Sequence, residues 1–225
     1  MLSITELKKE TPKKIVNFEY LRMSALVFPS YFPSISTFVA MAKSDEIVLE
    51  MEDNFQKQTN RNRMYIYSPN GLQLLNVPVK HSKIHHQKTK DIQIETAFDW
   101  QKQHFKSLEA AYRSSPFFEY FEDAIVPIFQ KKHTFLMDLN LETMAIVAQC
   151  LRLDFSYKIT EEYFKEVNIT KDYRHFVNGK KDQSQFESYT QVFEEKNGFL
   201  NNLSILDLLF NEGRYALDYL KKQQL

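Results

Sequence analysis

The chain has 225 residues, 43% of them apolar, enough to bury the core of one large domain or two small ones. Its 29 basic and 29 acidic residues cancel, which argues against a dedicated DNA binder and disfavours nucleic acid as a partner. A lone cysteine, Cys150, excludes an internal disulfide framework, and four scattered glycines (Gly71, Gly179, Gly198, Gly213) exclude a Walker-type or dinucleotide-binding loop, so any bound phosphate must be held largely by side chains.

Residues 1–20 are lysine-rich and weakly patterned, and part of them is expected to be mobile. The stretch MLSITELKKETPKK has no apolar core and no small-residue cleavage pattern, so no secretory signal is expected. No apolar run approaches the ~18 residues of a membrane span, and a cytoplasmic location is the expectation. MSALVF (23–28) reads as a short buried strand, PSYFPS breaks the chain, and SISTFVAMAK (34–43) reads as a helix with Ser34 as its N-cap. EIVLEM (46–51) is the next strand, so the chain opens as a βαβ unit. RMYIY and LQLLNVPV flank Ser68-Pro69-Asn70-Gly71, which predicts a hairpin with a type I turn and a G1 bulge. HSKIHHQKTKD is a polar loop, and IQIET (92–96) alternates like a strand.

The following helix can start behind Thr96 or behind Asp99; either start places Trp100, His104, Leu108, Ala111 and Tyr112 on one face. Further helices are expected at about 117–130, with an interruption at Pro127, and at about 141–152 behind Asn140. Residues 155–200 are polar, with a short strand at FSYKIT, and the chain ends in two short helices broken at Gly213. These elements predict a single α/β domain over residues 1–225: a mixed sheet with a central β-hairpin, flanked by helices, and a helical C-terminal segment.

Asn60-Arg61-Asn62-Arg63 alternates in front of the hairpin. In a strand, Arg61 and Arg63 would share a face about 6–7 Å apart and repel unless an anion or a carboxylate lies between them. They read either as an anion clamp, with Lys57 just upstream, or as partners of surface acids. His104 reads as a shielded general base or as a buried histidine hydrogen-bonded to the backbone. Asp207, inside LSILDLLF, needs a partner; with Ser204 as N-cap it can bond back to the cap N–H, which does not preclude a functional role. His81, His85 and His86 read as loop residues rather than metal ligands, and Cys150 as an inert core thiol.

Four segments, in order, resemble the WbqC-like protein family: PSYFPSISTF (29–38); KQTNRNRM with NGLQLLNVPV; DWQKQHFKSLEAAYRSSPFFEYF; and YTQVFEEKNGFLNNLSILDLLFNEG. DYR (172–174) is a weaker match, and Phe28, Ser36 and Thr37 stand where the family often has Gln, Gly and Tyr. The resemblance spans residues 23–219. It implies a role in surface-polysaccharide (O-antigen) biosynthesis, as a transferase moving an aminoacyl, glycyl or acyl group onto a nucleotide-linked amino sugar. The alternative is a non-catalytic binding or scaffold module for an anionic sugar nucleotide. The motif positions here are Tyr31, Lys57, Arg61, Asn62, Arg63, Trp100, His104, Tyr112, Gln191 and Asp207. In the transferase reading, Lys57, Arg61 and Arg63 hold a diphosphate or carboxylate, and Asn62 and Gln191 add substrate contacts. His104 is the base, Asp207 orients it or holds a sugar hydroxyl, and Tyr31 and Tyr112 stack on sugar or base. No metal and no named cofactor is implied. The geometric expectation is that Arg61 and Arg63 point into the cleft of His104.

Overall fold

The computed structural model describes residues 24–81, 85–167 and 171–225; the expectations for residues 1–20 lie outside them. In chain order the strands and α-helices are β1 (Ser24–Val27), α1 (Ile35–Ala42), β2 (Glu46–Leu49), β3 (Arg63–Ser68), β4 (Gly71–Asn76), α2 (Trp100–Tyr112), α3 (Phe118–Gln130), α4 (Leu136–Leu151), β5 (Tyr157–Ile159), α5 (Glu194–Asn197), α6 (Ile205–Glu212) and α7 (Ala216–Lys222).

The architecture is α/β. β1 and β2 run parallel, Ala25 opposite Ile47 and Leu26 opposite Val48, with α1 as the crossover. Their buried apolar runs, ALV (25–27) and IVL (47–49), suit strands covered on both faces. β5 adds in parallel on the far side of β2, giving the order β1-β2-β5. β3 and β4 pair antiparallel from Arg63–Asn76 to Ser68–Gly71. Gly71 carries φ +92°, the left-handed region in which glycine has no side-chain penalty. Among the described residues the hairpin pairs with itself and does not extend the parallel sheet.

Several boundaries differ from the sequence reading. Ile92 and Ile94 are buried, as alternation requires, but residues 92–96 form only single bridges, Ile94 with Val79 and Gln93 with Phe135. Each neighbour runs alongside for one residue before turning away, so no ladder develops. α4 begins at Leu136, not behind Asn140. Asn140 lies inside that helix, fully buried, and its Nδ2 donates to the carbonyl oxygens of Pro29 (3.1 Å) and Arg61 (2.8 Å). A side chain that often caps helices here joins two loops instead. α3 runs through Pro127 uninterrupted. Pro127 and Asp123 are both exposed, so the carbonyl the proline leaves unpaired faces outward.

α2 starts behind Asp99, without a side-chain cap, and buries Trp100, His104, Leu108, Ala111 and Tyr112, the face its spacing predicts. α3 and α6 close over it through aromatic contacts: Phe210 lies 5.2 Å from Tyr112 and 5.0 Å from Phe118, centroid to centroid. Among the described residues, no helix is long and apolar enough to cross a membrane.

Candidate functional site

A cleft of about 440 Å³ opens on the outer face of the hairpin, within the roughly 300–1,000 Å³ usual for small-molecule sites. Arg63 and Tyr65 of β3 and Leu72 of β4 form one wall. Gln58 and Asn60 form the second, Gly179, Lys180, Asp182, Ser184 and Gln185 the third, and Asn201 and Asn202 the fourth, with Ser34 beside them. The hairpin's alternation produces this wall. Met64 and Ile66 point into the core at 2% and 0% exposure, so Arg63 and Tyr65 must face outward. Gln58 (φ +62°) and Asn202 (φ +54°) hold left-handed backbone, a conformation that costs a non-glycine residue energy and that clusters at ligand sites.

The polar groups of the cleft divide in two. Arg63 donates through Nε to Asn76 Oδ1 (3.2 Å). Neither Arg63 nor Lys180 forms an ion pair among the described residues. Asp182 is engaged: Oδ2 accepts from Ser36 Oγ (2.6 Å) and Asn202 Nδ2 (2.7 Å), and Oδ1 from the Ser184 N–H (3.1 Å). The start of α1 offers no spare donors. Its Ile35 N–H goes to the Leu203 carbonyl, its Ser36 N–H to Asn202 Oδ1, and its Thr37 and Phe38 N–H groups to the Ser34 carbonyl. Anion binding in the cleft therefore falls to side chains, as the glycine shortage implies.

The residues singled out from sequence separate into one cleft position and several partnered groups. Arg63 lines the cleft. Arg61 does not share its strand face: residues 60–62 form a turn before β3. The Arg61 guanidinium, 1% exposed, donates through Nη2 (2.6 Å) and Nε (2.9 Å) to Asp53 Oδ2 and lies 4.2 Å above the Phe28 ring. The two-arginine clamp is thus replaced by a buried ion pair, because the turn aims the first arginine inward. Lys57 is exposed and does not line the cleft. Asn62 Nδ2 ties the same turn to Asn76 Oδ1 and to the Val77 carbonyl.

His104 faces Tyr31, not the cleft. Its Nδ1 lies 3.0 Å from the Tyr31 hydroxyl, and Trp100 packs edge-on at 5.1 Å. Burial lowers its pKa to about 4, opposed by a hydrogen bond with the Asn76 backbone, so the ring is neutral at pH 7. Burial likewise pushes the Tyr31 hydroxyl well up.

Asp207 forms a second knot. Its carboxylate accepts from Tyr112 (2.8 Å), Tyr189 (2.5 Å) and Gln191 Nε2 (2.9 Å). Ser204 does cap α6, accepting from the Leu206 N–H, while the Asp207 carboxylate goes to the tyrosines and the glutamine instead of the cap. Burial raises its pKa, and the three hydrogen bonds pull it back. Tyr112 also accepts from the Tyr67 N–H, tying β3 to α2.

Among the described residues, no group of three His, Cys, Asp or Glu could hold a metal; His81, His85 and His86 are exposed. Burial raises the Cys150 thiol. Sequence reasoning missed Lys180, Asp182 and Asn202. The signal available was the polar run NGKKDQS (178–184), two lysines beside a lone aspartate.

The chain is 28% identical to "Uncharacterized protein Rv1507c" of Mycobacterium tuberculosis, over 89% of this chain and 98% of that protein. No solved structure matches it. The model of the WbqC-like protein family matches residues 29–178, which include β1's exit, the hairpin and α2 through α4 together with two walls of the cleft and Ser34. The chain is a member of the WbqC-like protein family.

Proposed function

We propose that the cleft binds a small anionic, hydroxyl-rich ligand of the sugar-nucleotide class, and that the protein serves surface-polysaccharide (O-antigen) assembly in the cytoplasm as a binding module. One observation carries this reading: two cations without a carboxylate partner among the described residues, Arg63 and Lys180, line a polar cleft that also offers the ring of Tyr65 and the side chain of Leu72. Cations supply charge-assisted bonds to a diphosphate, and the apolar wall takes the face of a sugar or base. His104 and Asp207 enter as supports, holding Tyr31 and Tyr112 behind the walls.

A second reading, transfer of an aminoacyl, glycyl or acyl group to an amino sugar, is favoured by the carboxylate of Asp182 in the cleft wall. In that reaction the acceptor amine attacks the acyl carbonyl, the leaving group departs, and the amine proton passes to a base. Calorimetric titration with UDP-glucose, GDP-mannose and UDP-glucosamine tests the first reading. Arg63→Ala should weaken binding at least tenfold, roughly the loss of one charge-assisted contact, with an unchanged melting temperature. Absence of binding by all three probes overturns it. The same mixtures supplied with glycyl thioester and read by mass spectrometry decide the second: an acylated sugar supports transfer, and unchanged masses with binding intact support the binding module.

A further inference from the structure

Ser34 lines the cleft, Ser36 is fully buried beneath it, and Asp182 returns to the cleft wall. The three are linked: Ser34 Oγ lies 2.8 Å from Ser36 Oγ, and Ser36 Oγ donates to Asp182 Oδ2 at 2.6 Å. Each hydroxyl has one proton, and an ionised carboxylate only accepts. The Ser36 proton is therefore committed to Asp182. The 2.8 Å bond must then be donated by Ser34, whose own proton is spent on Ser36. Ser34 Oγ is left with lone pairs, and Thr37 Oγ1, at 3.4 Å, can occupy only one of them. On Asp182, three donors engage a carboxylate with about four acceptor positions, leaving one open. The ordering of protons makes this side of the cleft an acceptor surface, while Arg63 and Lys180 make a donor surface.

We infer that the cleft reads its ligand in two halves: Arg63 and Lys180 take an anionic group, and Ser34 with Asp182, ordered through Ser36, take a hydroxyl or ammonium donor. This rests on the anion-binding reading above and narrows it. The preferred class is a sugar phosphate with a free amine or hydroxyl near the phosphate, and a bare polyanion is disfavoured because Asp182 repels it.

The test uses three probes: methyl phosphate, glucose 1-phosphate and glucosamine 1-phosphate. Wild-type protein should bind the two sugar phosphates at least tenfold more tightly than methyl phosphate. Asp182→Asn should shrink that gap to threefold or less and leave methyl phosphate as tight or tighter. Ser36→Ala, which breaks the proton order without touching charge, should also shrink it; thermal melts establish that both variants are folded. Arg63→Ala should weaken all three probes. Equal binding of the three by wild-type protein, or a tenfold gap that survives in Asp182→Asn, overturns the two-half cleft while leaving anion binding intact. If Arg63→Ala weakens none of the probes, or none binds wild-type protein, the anion-binding reading falls and this inference with it.

Discussion

His104 and Asp207 are both buried, yet burial moves their proton affinities in ways that act oppositely on stability. His104 has a folded pKa near 4 against an ordinary 6.5. Above about pH 6.5 neither state binds the proton; as pH falls through that window the unfolded chain takes it up first, so stability drops until the folded ring also titrates near 4. The full loss is roughly 3 kcal/mol for a shift of this size. Asp207 works the other way, because its raised pKa means that its ionised form costs stability at neutral pH and the cost eases as pH falls. Urea unfolding at pH 7, 5.5 and 4 should show His104→Gln losing less stability than wild type over this range. Identical slopes in the two proteins would contradict the account. The burial of these residues was legible from helix periodicity and from the apolar run around Asp207. Their partners were not: Tyr31 lies 73 residues from His104, and Tyr112 lies 95 from Asp207. Arg61 failed as a strand residue because a turn over 60–62 precedes β3, and no alternation rule contains the Asp53 that captures it.

Among elements, those with strong local grammar were readable and those set by tertiary contact were not. The parallel βαβ start, the hairpin and the buried stripe of α2 follow from period, turn chemistry and apolar spacing. α4 could not be bounded, since Asn140 is a cap by propensity and a buried loop tie in fact. The break at Gly213 was legible, and its geometry explains the residue. Gly213 holds φ +55° and ψ −120°, and a Cβ there would stand 2.5 Å from the Phe117 ring. Gly213→Ala should therefore lower stability by about 2 kcal/mol or more, from backbone strain and overpacking together. In a Phe117→Leu background the added loss should be smaller, because the narrower side chain can yield. Denaturant midpoints of the four proteins provide the check, and strict additivity would rule out the ring clash as the cause.

At the scale of the molecule, the two sheets share no ladder among the described residues, so side chains, helices and loop backbone unite them. Trp100 is the chain's one tryptophan, 5% exposed and 6.1 Å from the Tyr31 ring, while Tyr31 follows β1 and α2 packs on β3. If residues 24–225 behave as one domain, Trp100 fluorescence and far-ultraviolet circular dichroism should give coincident unfolding curves. Separated transitions would divide the chain into two units. The cleft escaped the sequence because it is assembled from distant segments; Ser36 and Asp182, which order one side of it, are 146 residues apart. Two of its walls are nevertheless fastened together. The Asn140 amide grips the backbone at Pro29 and Arg61, and the Tyr31 N–H bonds the Asn60 carbonyl, so the Ser34 approach and the 58–63 segment keep a fixed spacing. A ligand arriving there has little chain left to order. Such a cleft acts as a mould cast in advance, and its selectivity lies in turning away shapes that do not fit.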